Sequence, residues 1–414
     1  MNRVIVSVVF CTRWLLLLLC VMLLVSSRSM AEPVTGWFGF RGDGTSVAER
    51  GPSRLSIEDD SNRTWKREMP GRSVAGPIVI DDLVITTSSS GPSEENLFVT
   101  GVDLNSGAVV WQQQFRATGR PFFHPTGAGA APSPVTDGER VVALFSSNDL
   151  VCLSTDGALK WVRGLGRDYE KAGNDLGMAS SPVIAGDVVI VQVESQGDSF
   201  AAGIDLNTGE NRWRIKRPPL ANWSSPAVVR FGDGAYEVVL QSQQDVLALD
   251  AGTGETRWTL GEGRGTIPSP TVSGKHILLP GSDLLVMKAT APGETPVELW
   301  RDGKLAPKNP SVAAGRDQLY VLKGSVLLKA DLATGDTVWK SRLSGLGATW
   351  ATPVVAGNSI YVFDQSGIGL VVADGGDSGE VVSQVELEEG VLGTPAVANG
   401  RLVVRSKTML HCFE

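Results

Sequence analysis

Few side chains in this chain are spaced for catalysis. The three histidines, His124, His276 and His411, stand in separate stretches with no neighbouring Cys or His, which argues against a structural zinc site. No Gly-x-Ser-x-Gly elbow and no Walker-type phosphate loop occurs. Most acids fall beside Gly, Asn or Thr, where a turn accounts for them. The residues suited to recognition are gathered in two polar stretches. One is Gln114 to Ala131, with Arg116, Arg120 and His124; the other is Gly164 to Ser180, with Arg167, Asp168, Tyr169, Lys171, Asn174 and Asp175. Two tryptophans, Trp223 and Trp350, add planar apolar surface able to flank a flat ligand. This inventory suits binding by hydrogen bonds, charge and stacking rather than bond making, and it points to no catalytic residue and no metal ligand.

What positions these residues is a repeat. The stretch Asp205-Leu206-Asn207-Thr208-Gly209-Glu210-Asn211-Arg212-Trp213 has relatives along nearly the whole chain. A marker ending in Pro followed by apolar residues returns at Pro77, Pro134, Pro182, Pro226, Pro270, Pro310, Pro353 and Pro395. A Gly turn followed by an aromatic returns at Trp65, Trp111, Trp161, Trp213, Trp258, Trp300 and Trp339, with Ser383 at the eighth position. A period mostly in the low forties is that of a four-stranded propeller blade. Within the third unit, alternation predicts strands over Pro182 to Ala185, Val188 to Val193, Phe200 to Asp205 and Glu210 to Ile215. At the last turn of each unit, Gly107, Gly209, Gly254, Gly335 and Gly379 are expected to supply positive φ, and Asp103, Asp205, Asp250, Asp331 and Asp374 to accept from turn amides. Each Trp is expected to fill the wedge between neighbouring sheets.

The phase of the repeat predicts closure. The first marker, around Trp65, is a fourth strand without three predecessors, and the last unit ends after its third strand, Met409 to Phe413. The expected fold is therefore all-β: an eight-bladed β-propeller over residues 64–414, four antiparallel strands per blade, with the Trp65 strand completing the C-terminal blade so that no sheet keeps an open edge. Two lapses, Ala289 to Val297 and Ser383, are expected to cost packing locally. Three residues before each Pro marker the side chain is apolar (Val74, Ala131, Ala179, Trp223, Ile267, Pro307, Trp350 and Leu392), so these positions are expected to ring the mouth of the channel.

Residues 1–31 carry Arg3 and Arg13, an apolar run from Trp14 to Val25 and a small-residue site ending at Ala31, the pattern of a cleaved signal peptide. The run is too short to span a bilayer, so the mature chain is expected to be exported, to periplasm or medium, without a transmembrane segment. Taking the three arginines of this segment from the 37 Lys and Arg leaves 34 against 45 acids, a mature net charge of −11 that argues against nucleic acid as a partner. Cys152 and Cys412 remain, both on third strands two blades apart, too far for a disulfide. Residues 32–63 read as an extended arm whose pair Trp37-Phe38 pins it to the body. Its Arg41-Gly42-Asp43 triplet matches an adhesion motif by chance.

The recurring Asp205-to-Trp213 signature and Ser181-Pro182-Val183 resemble the repeat of the pyrroloquinoline-quinone-like propeller family, from about Trp65 to Cys412. That resemblance implies relatives of two kinds: quinoprotein dehydrogenases, and the propeller lipoprotein of outer-membrane β-barrel assembly. The adjacent cysteine pair that stacks on the quinone and the Glu, Asn and Asp that hold Ca²⁺ in such enzymes have no match here. The lipoprotein signal also fails, because Leu19 precedes Cys20. The expectation is an exported, non-catalytic scaffold that binds a protein or an envelope polymer, with no cofactor. The alternatives are a divergent quinoprotein alcohol or sugar dehydrogenase using the quinone with Ca²⁺, for which Trp223 and Trp350 are the candidate cofactor contacts, and a polysaccharide-binding propeller.

Overall fold

The computed structural model describes residues 36–55, 63–173, 176–232 and 234–414. The segment read as a signal peptide lies outside the described residues, and Thr35–Glu414 form one compact unit. Alternation and Gly turns do in space what their period predicts. Blade 3 has strands Val183–Ala185, Val188–Val193, Phe200–Asp205 and Asn211–Lys216, paired antiparallel in that order. Seven further sheets follow the same plan, giving an eight-bladed β-propeller. In blade 8, Arg63–Glu68 pairs antiparallel with Met409–Phe413, Trp65 opposite Cys412, so the two ends of the chain share one sheet. Closure gives blade 8 its fourth, outer strand.

The small polar residue beside each Pro has a specific task. Its hydroxyl accepts the backbone N–H of the equivalent residue in the preceding blade. Ser133 donates to Ser181, Ser181 to Ser225, Ser225 to Ser269 and Ser269 to Ser311, each at 2.9 Å, and Ser311 and Thr352 continue to Thr352 and Thr394 at 3.2 and 3.1 Å. This belt stitches the inner strands around the channel. It stops where Gly76 faces Thr394, because the backbones there approach too closely for a Cβ. The belt also corrects the register of unit six. Ser311, not Asn309, takes the hydroxyl position, so Pro310 lies two residues early and aligns with Pro268 rather than Pro270.

The tryptophans brace neighbouring blades. Trp161 Nε1 donates to Leu206 O of the next blade at 3.0 Å, and Trp65, Trp111, Trp213 and Trp300 make the same bond to Leu104, Thr155, Ala251 and Leu332 at 2.7 to 3.0 Å. Each ring lies against the turn glycine that follows that acceptor. Gly209 has φ +75°, and a Cβ there would sit 2.8 Å from Trp161 Cδ2. Asp205 Oδ1 accepts from Asn207 and Thr208 amides at 2.9 and 3.0 Å. Hydrogen bonds from Arg212 foremost, with those amides, push its carboxyl down to about 2. Gly379 departs from expectation: Gly376 takes the positive φ of that turn, and Gly379 is small because Trp339 lies on it.

Both lapses in the repeat are compensated. Where blade 5 lacks the standard turn, Trp258 Nε1 donates to Glu237 Oε2 at 3.1 Å, while Glu237 Oε1 accepts from Gly293 N at 2.6 Å. Where blade 7 has Ser383 in place of Trp, its hydroxyl accepts from Leu55 N at 3.0 Å and donates to Leu55 O at 2.8 Å. Leu55 is buried, in an apolar cluster that it shares with residues of blades 1, 7 and 8. The expected loss of packing at Ser383 does not occur, because the N-terminal arm supplies the missing side chain.

The arm crosses the ring. Gly36–Trp37 adds an antiparallel strand to blade 1, and Thr136 N of blade 2 donates to Phe38 O at 2.8 Å. The chain then turns through Gly39–Gly44, Ala314 N of blade 6 donates to Thr45 O, and Val47–Ala48 runs parallel to Val355–Ala356 of blade 7. Trp37 is buried, and Arg41 is 2% exposed, so the Arg-Gly-Asp triplet is not presented for adhesion.

Candidate functional site

In each blade the residue two before the belt hydroxyl precedes the inner strand, where the chain enters the ring from the outer strand of the blade before. Eight such positions converge on the axis. The seven apolar residues anticipated from sequence other than Pro307, together with Asn309, line a cavity of about 380 Å³ at the channel mouth. Pro307 is absent from the lining because of the two-residue offset at Pro310; the signal that would have found Asn309 is the Ser311-Val312 pair, which follows the belt pattern without its proline.

The floor holds belt hydroxyls of Ser225, Ser269, Ser311 and Thr352, with Phe40 contributed by the arm. Phe40 was not anticipated, since nothing local marks a residue of the arm as a channel plug. The walls are the two long loops. They hold each other: His124 N donates to Leu176 O at 3.0 Å, and Trp223 Nε1 donates to Gly177 O at 2.9 Å. Arg72 clasps the first loop through Gly127 O at 2.7 Å, pairs with buried Glu94 at 3.0 Å and lies over the Phe123 ring at 5.9 Å. The rim is therefore preformed, with Trp350 and Leu176 exposed upon it at 38% and 48%.

The polar residues named from sequence do not gather there as a set. His124 lines the cavity, its Nδ1 taken by Thr126 N at 3.2 Å within its own loop. Trp223 and Trp350 also line it, with Trp350 Nε1 donating to Gln365 Oε1 at 3.3 Å. Arg120 lies over Phe122, and neither is part of the lining. Arg167 and Asp168 belong to a short helix, Leu165–Asp168, that sequence did not predict; Asp168 pairs with Arg163 at 2.6 Å. Tyr169 Oη accepts from Asn211 at 2.8 Å, and its ring lies under Arg214. Asp168 and Tyr169 thus serve the seam between blades 2 and 3, since Arg163 also donates to Gly209 O. Arg116 still belongs to the outer strand of blade 1, and Asn174 and Asp175 lie outside the described residues.

Among the described residues no Lys, Arg, Asp or Glu lines the mouth cavity, and no three His, Cys, Asp or Glu side chains are grouped to hold a metal ion. Pyrroloquinoline quinone is a tricarboxylate that binds with Ca²⁺. Its carboxylates would lie in this cavity without a cationic side chain, and the Ca²⁺ without a carboxylate, so the residues present do not fit that pair. Cys152 and Cys412 are buried free thiols on the third strands of blades 2 and 8, each pushed up to about 12 by burial. They are unreactive as nucleophiles.

A family model described as outer membrane protein assembly factor BamB matches residues 95–269 and 322–411. Among curated proteins none matches by sequence. Similar solved structures include BamB from Moraxella catarrhalis, with 19% identity and a TM-score of 0.61 over 85% of this chain and 97% of that one. A europium-containing methanol dehydrogenase has 12% identity and a TM-score of 0.62 over 89% of each chain. The quinohemoprotein alcohol dehydrogenase of Comamonas testosteroni has 12% identity and a TM-score of 0.64 over 92% of this chain and 80% of that one. At such identities the likeness concerns the fold. No helix among the described residues is long and apolar enough to cross a membrane.

Proposed function

We propose that this chain, which belongs to the family described as outer membrane protein assembly factor BamB, is an exported, non-catalytic propeller that serves as a binding scaffold in the cell envelope. The observation that carries this reading is the mouth cavity itself: preformed, free of lining charge among the described residues, and rimmed by exposed Trp350 and Leu176. Large apolar side chains on a rigid rim are what a protein interface uses as anchors. The family description, which concerns an assembly factor, favours a protein partner over a small substrate, and export rests on residues 1–31.

The test is photocrosslinking in the native envelope from probes placed at Thr126 and Leu176, with Val110 on the outer edge of blade 1 as the control position. A discrete polypeptide adduct is expected from the first two sites and not from the third, and Trp350→Ala should remove it without changing the melting temperature. Oxidation of alcohols or sugars by the purified chain on addition of the quinone and Ca²⁺, or saturable quinone binding followed by absorbance, would sink the proposal. Retention on immobilised glycans without any polypeptide adduct would move it to the polysaccharide alternative.

A further inference from the structure

The hydroxyl belt uses one half of each side chain's bonding capacity and leaves the other half open at the mouth. Ser225, Ser269, Ser311 and Thr352 accept backbone N–H groups from Ser181, Ser225, Ser269 and Ser311 of the preceding blades. A hydroxyl also has a proton to donate. Among the described residues none of these four protons has a protein acceptor, and all four side chains line the floor of the mouth cavity. Ser146 of the same lining differs, because its Oγ donates to Met178 O at 2.7 Å. Accepting an N–H polarises a hydroxyl and makes it the stronger donor. His124 adds another donor at the wall: its Nδ1 accepts from Thr126 N at 3.2 Å, which leaves the proton of the neutral ring on Nε2.

Above this floor the walls are apolar, with Leu176, Met178 and Ile267 between Trp223 and Trp350. Both indole N–H groups are engaged, by Gly177 O and Gln365 Oε1, so the two tryptophans offer the cavity ring surface alone. An occupant that matches has a large apolar body and a tip that accepts hydrogen bonds. A lining without Lys, Arg, Asp or Glu among the described residues gives a charged side chain no counter-charge. Phenylalanine would cover the floor hydroxyls without pairing them. Tryptophan would bring only a donor to oxygens that have already accepted one N–H. Tyrosine supplies both the ring and an oxygen that accepts as well as donates.

We propose that the mouth is a tyrosine pocket, in which a Tyr side chain of the partner polypeptide lies against the apolar walls and its phenolic oxygen accepts from the belt hydroxyls of blades 4 to 7. The proposal rests on the reading of the mouth as a protein-docking site and adds the residue type that anchors there. A site whose polar groups are matched to a hydroxyl rejects the analogue that lacks it, because its own groups are then left unpaired.

The test uses the full mature chain and three probes, N-acetyl-tyrosinamide, N-acetyl-phenylalaninamide and N-acetyl-tryptophanamide, titrated by ligand-observed NMR. The tyrosine probe should bind saturably, roughly fivefold to tenfold tighter than the phenylalanine probe although the latter is the more apolar, and tighter than the tryptophan probe. Trp350→Ala should weaken the tyrosine and phenylalanine probes alike. Ser269→Ala with Ser311→Ala should abolish the preference for tyrosine and leave the phenylalanine probe unchanged, whereas Ser269→Thr, which keeps the hydroxyl, should keep the preference. If the double variant, which also loses belt bonds, does not fold, the ranking of the three probes on the wild-type chain decides. A phenylalanine or tryptophan probe that binds as tightly as the tyrosine probe, or no saturable tyrosine binding, overturns the inference; a polypeptide adduct at Leu176 would then leave the scaffold reading standing. Loss of that adduct while the probe ranking holds would sink the scaffold reading and not the preference of the pocket.

Discussion

Replacing Gly209 with alanine isolates the brace between blades. Gly209 has φ +75° and Gly274 has φ +57°, so alanine at either site bears the left-handed backbone penalty, about 1 kcal/mol. The two differ in surroundings. A Cβ at Gly274 meets nothing within 4 Å, whereas one at Gly209 falls 2.8 Å from Trp161 Cδ2 and 3.0 Å from its Cε3. The indole cannot retreat without breaking its bond to Leu206 O, so overpacking adds about 2 kcal/mol. Gly209→Ala should thus cost about 3 kcal/mol and Gly274→Ala about 1 kcal/mol. Trp161→Ala removes the obstruction at its own cost of about 3 kcal/mol. In that background the further cost of Gly209→Ala should fall to about 1 kcal/mol, a coupling of about 2 kcal/mol in the double-mutant cycle. Urea unfolding followed by circular dichroism, with equal slopes checked across variants, measures all four. Equal costs for Gly209→Ala and Gly274→Ala, or additive behaviour with Trp161→Ala, would refute the brace.

Three further outcomes follow from the same geometry. Ser383→Ala removes both hydrogen bonds to Leu55 and should destabilise by about 1–2 kcal/mol, while Leu55→Ala should cost about 2–4 kcal/mol; both should speed limited proteolysis between residues 36 and 55. His411 is held down to about 4 by burial first, then by Lys66 and Arg63. The folded state therefore binds fewer protons than the unfolded one between about 6.5 and about 4. Stability from this group is complete above about 6.5 and is lost as pH falls through that window, by up to about 3 kcal/mol. His411→Gln should flatten the wild-type decline over that range in melting experiments, and an unchanged profile would exclude the assignment. Glu194 accepts from Arg217 Nε at 2.6 Å and Asn222 Nδ2 at 2.8 Å in a buried cluster. Glu194→Ala leaves that arginine with Asp245 alone and should cost about 3–5 kcal/mol by urea unfolding; a cost under about 1 kcal/mol would show that the cluster is solvated.

The architecture was legible because it is written locally and then repeated. Asp205, Gly209 and Trp213 lie within nine residues of one another, and each shapes a turn or a wedge whose partner is the next copy of the same signature. The closing strand at Trp65 could be counted into place for the same reason. The site was legible only as far as the repeat reached. Trp223, Ile267 and Trp350 occupy repeat positions and do line the mouth, whereas Asp168 and Tyr169, chosen for their chemistry alone, turn aside to the seam of two blades. Pro307 was misplaced because proline was counted where the belt counts hydroxyls.

The sequence by itself thus determined blade number, phase, closure and most of the rim, since each depends on short-range alternation and on turn residues whose conformational demands are intrinsic. Only the tertiary structure decided the course of the arm. Leu55 completing blade 7 and Arg41 crossing to blades 5 and 6 are contacts over 230 to 328 residues, between a segment without repeat and walls built by eight different stretches. No local pattern encodes such pairings, because what selects them is the shape and the unsatisfied chemistry of a channel that exists only once the ring has closed.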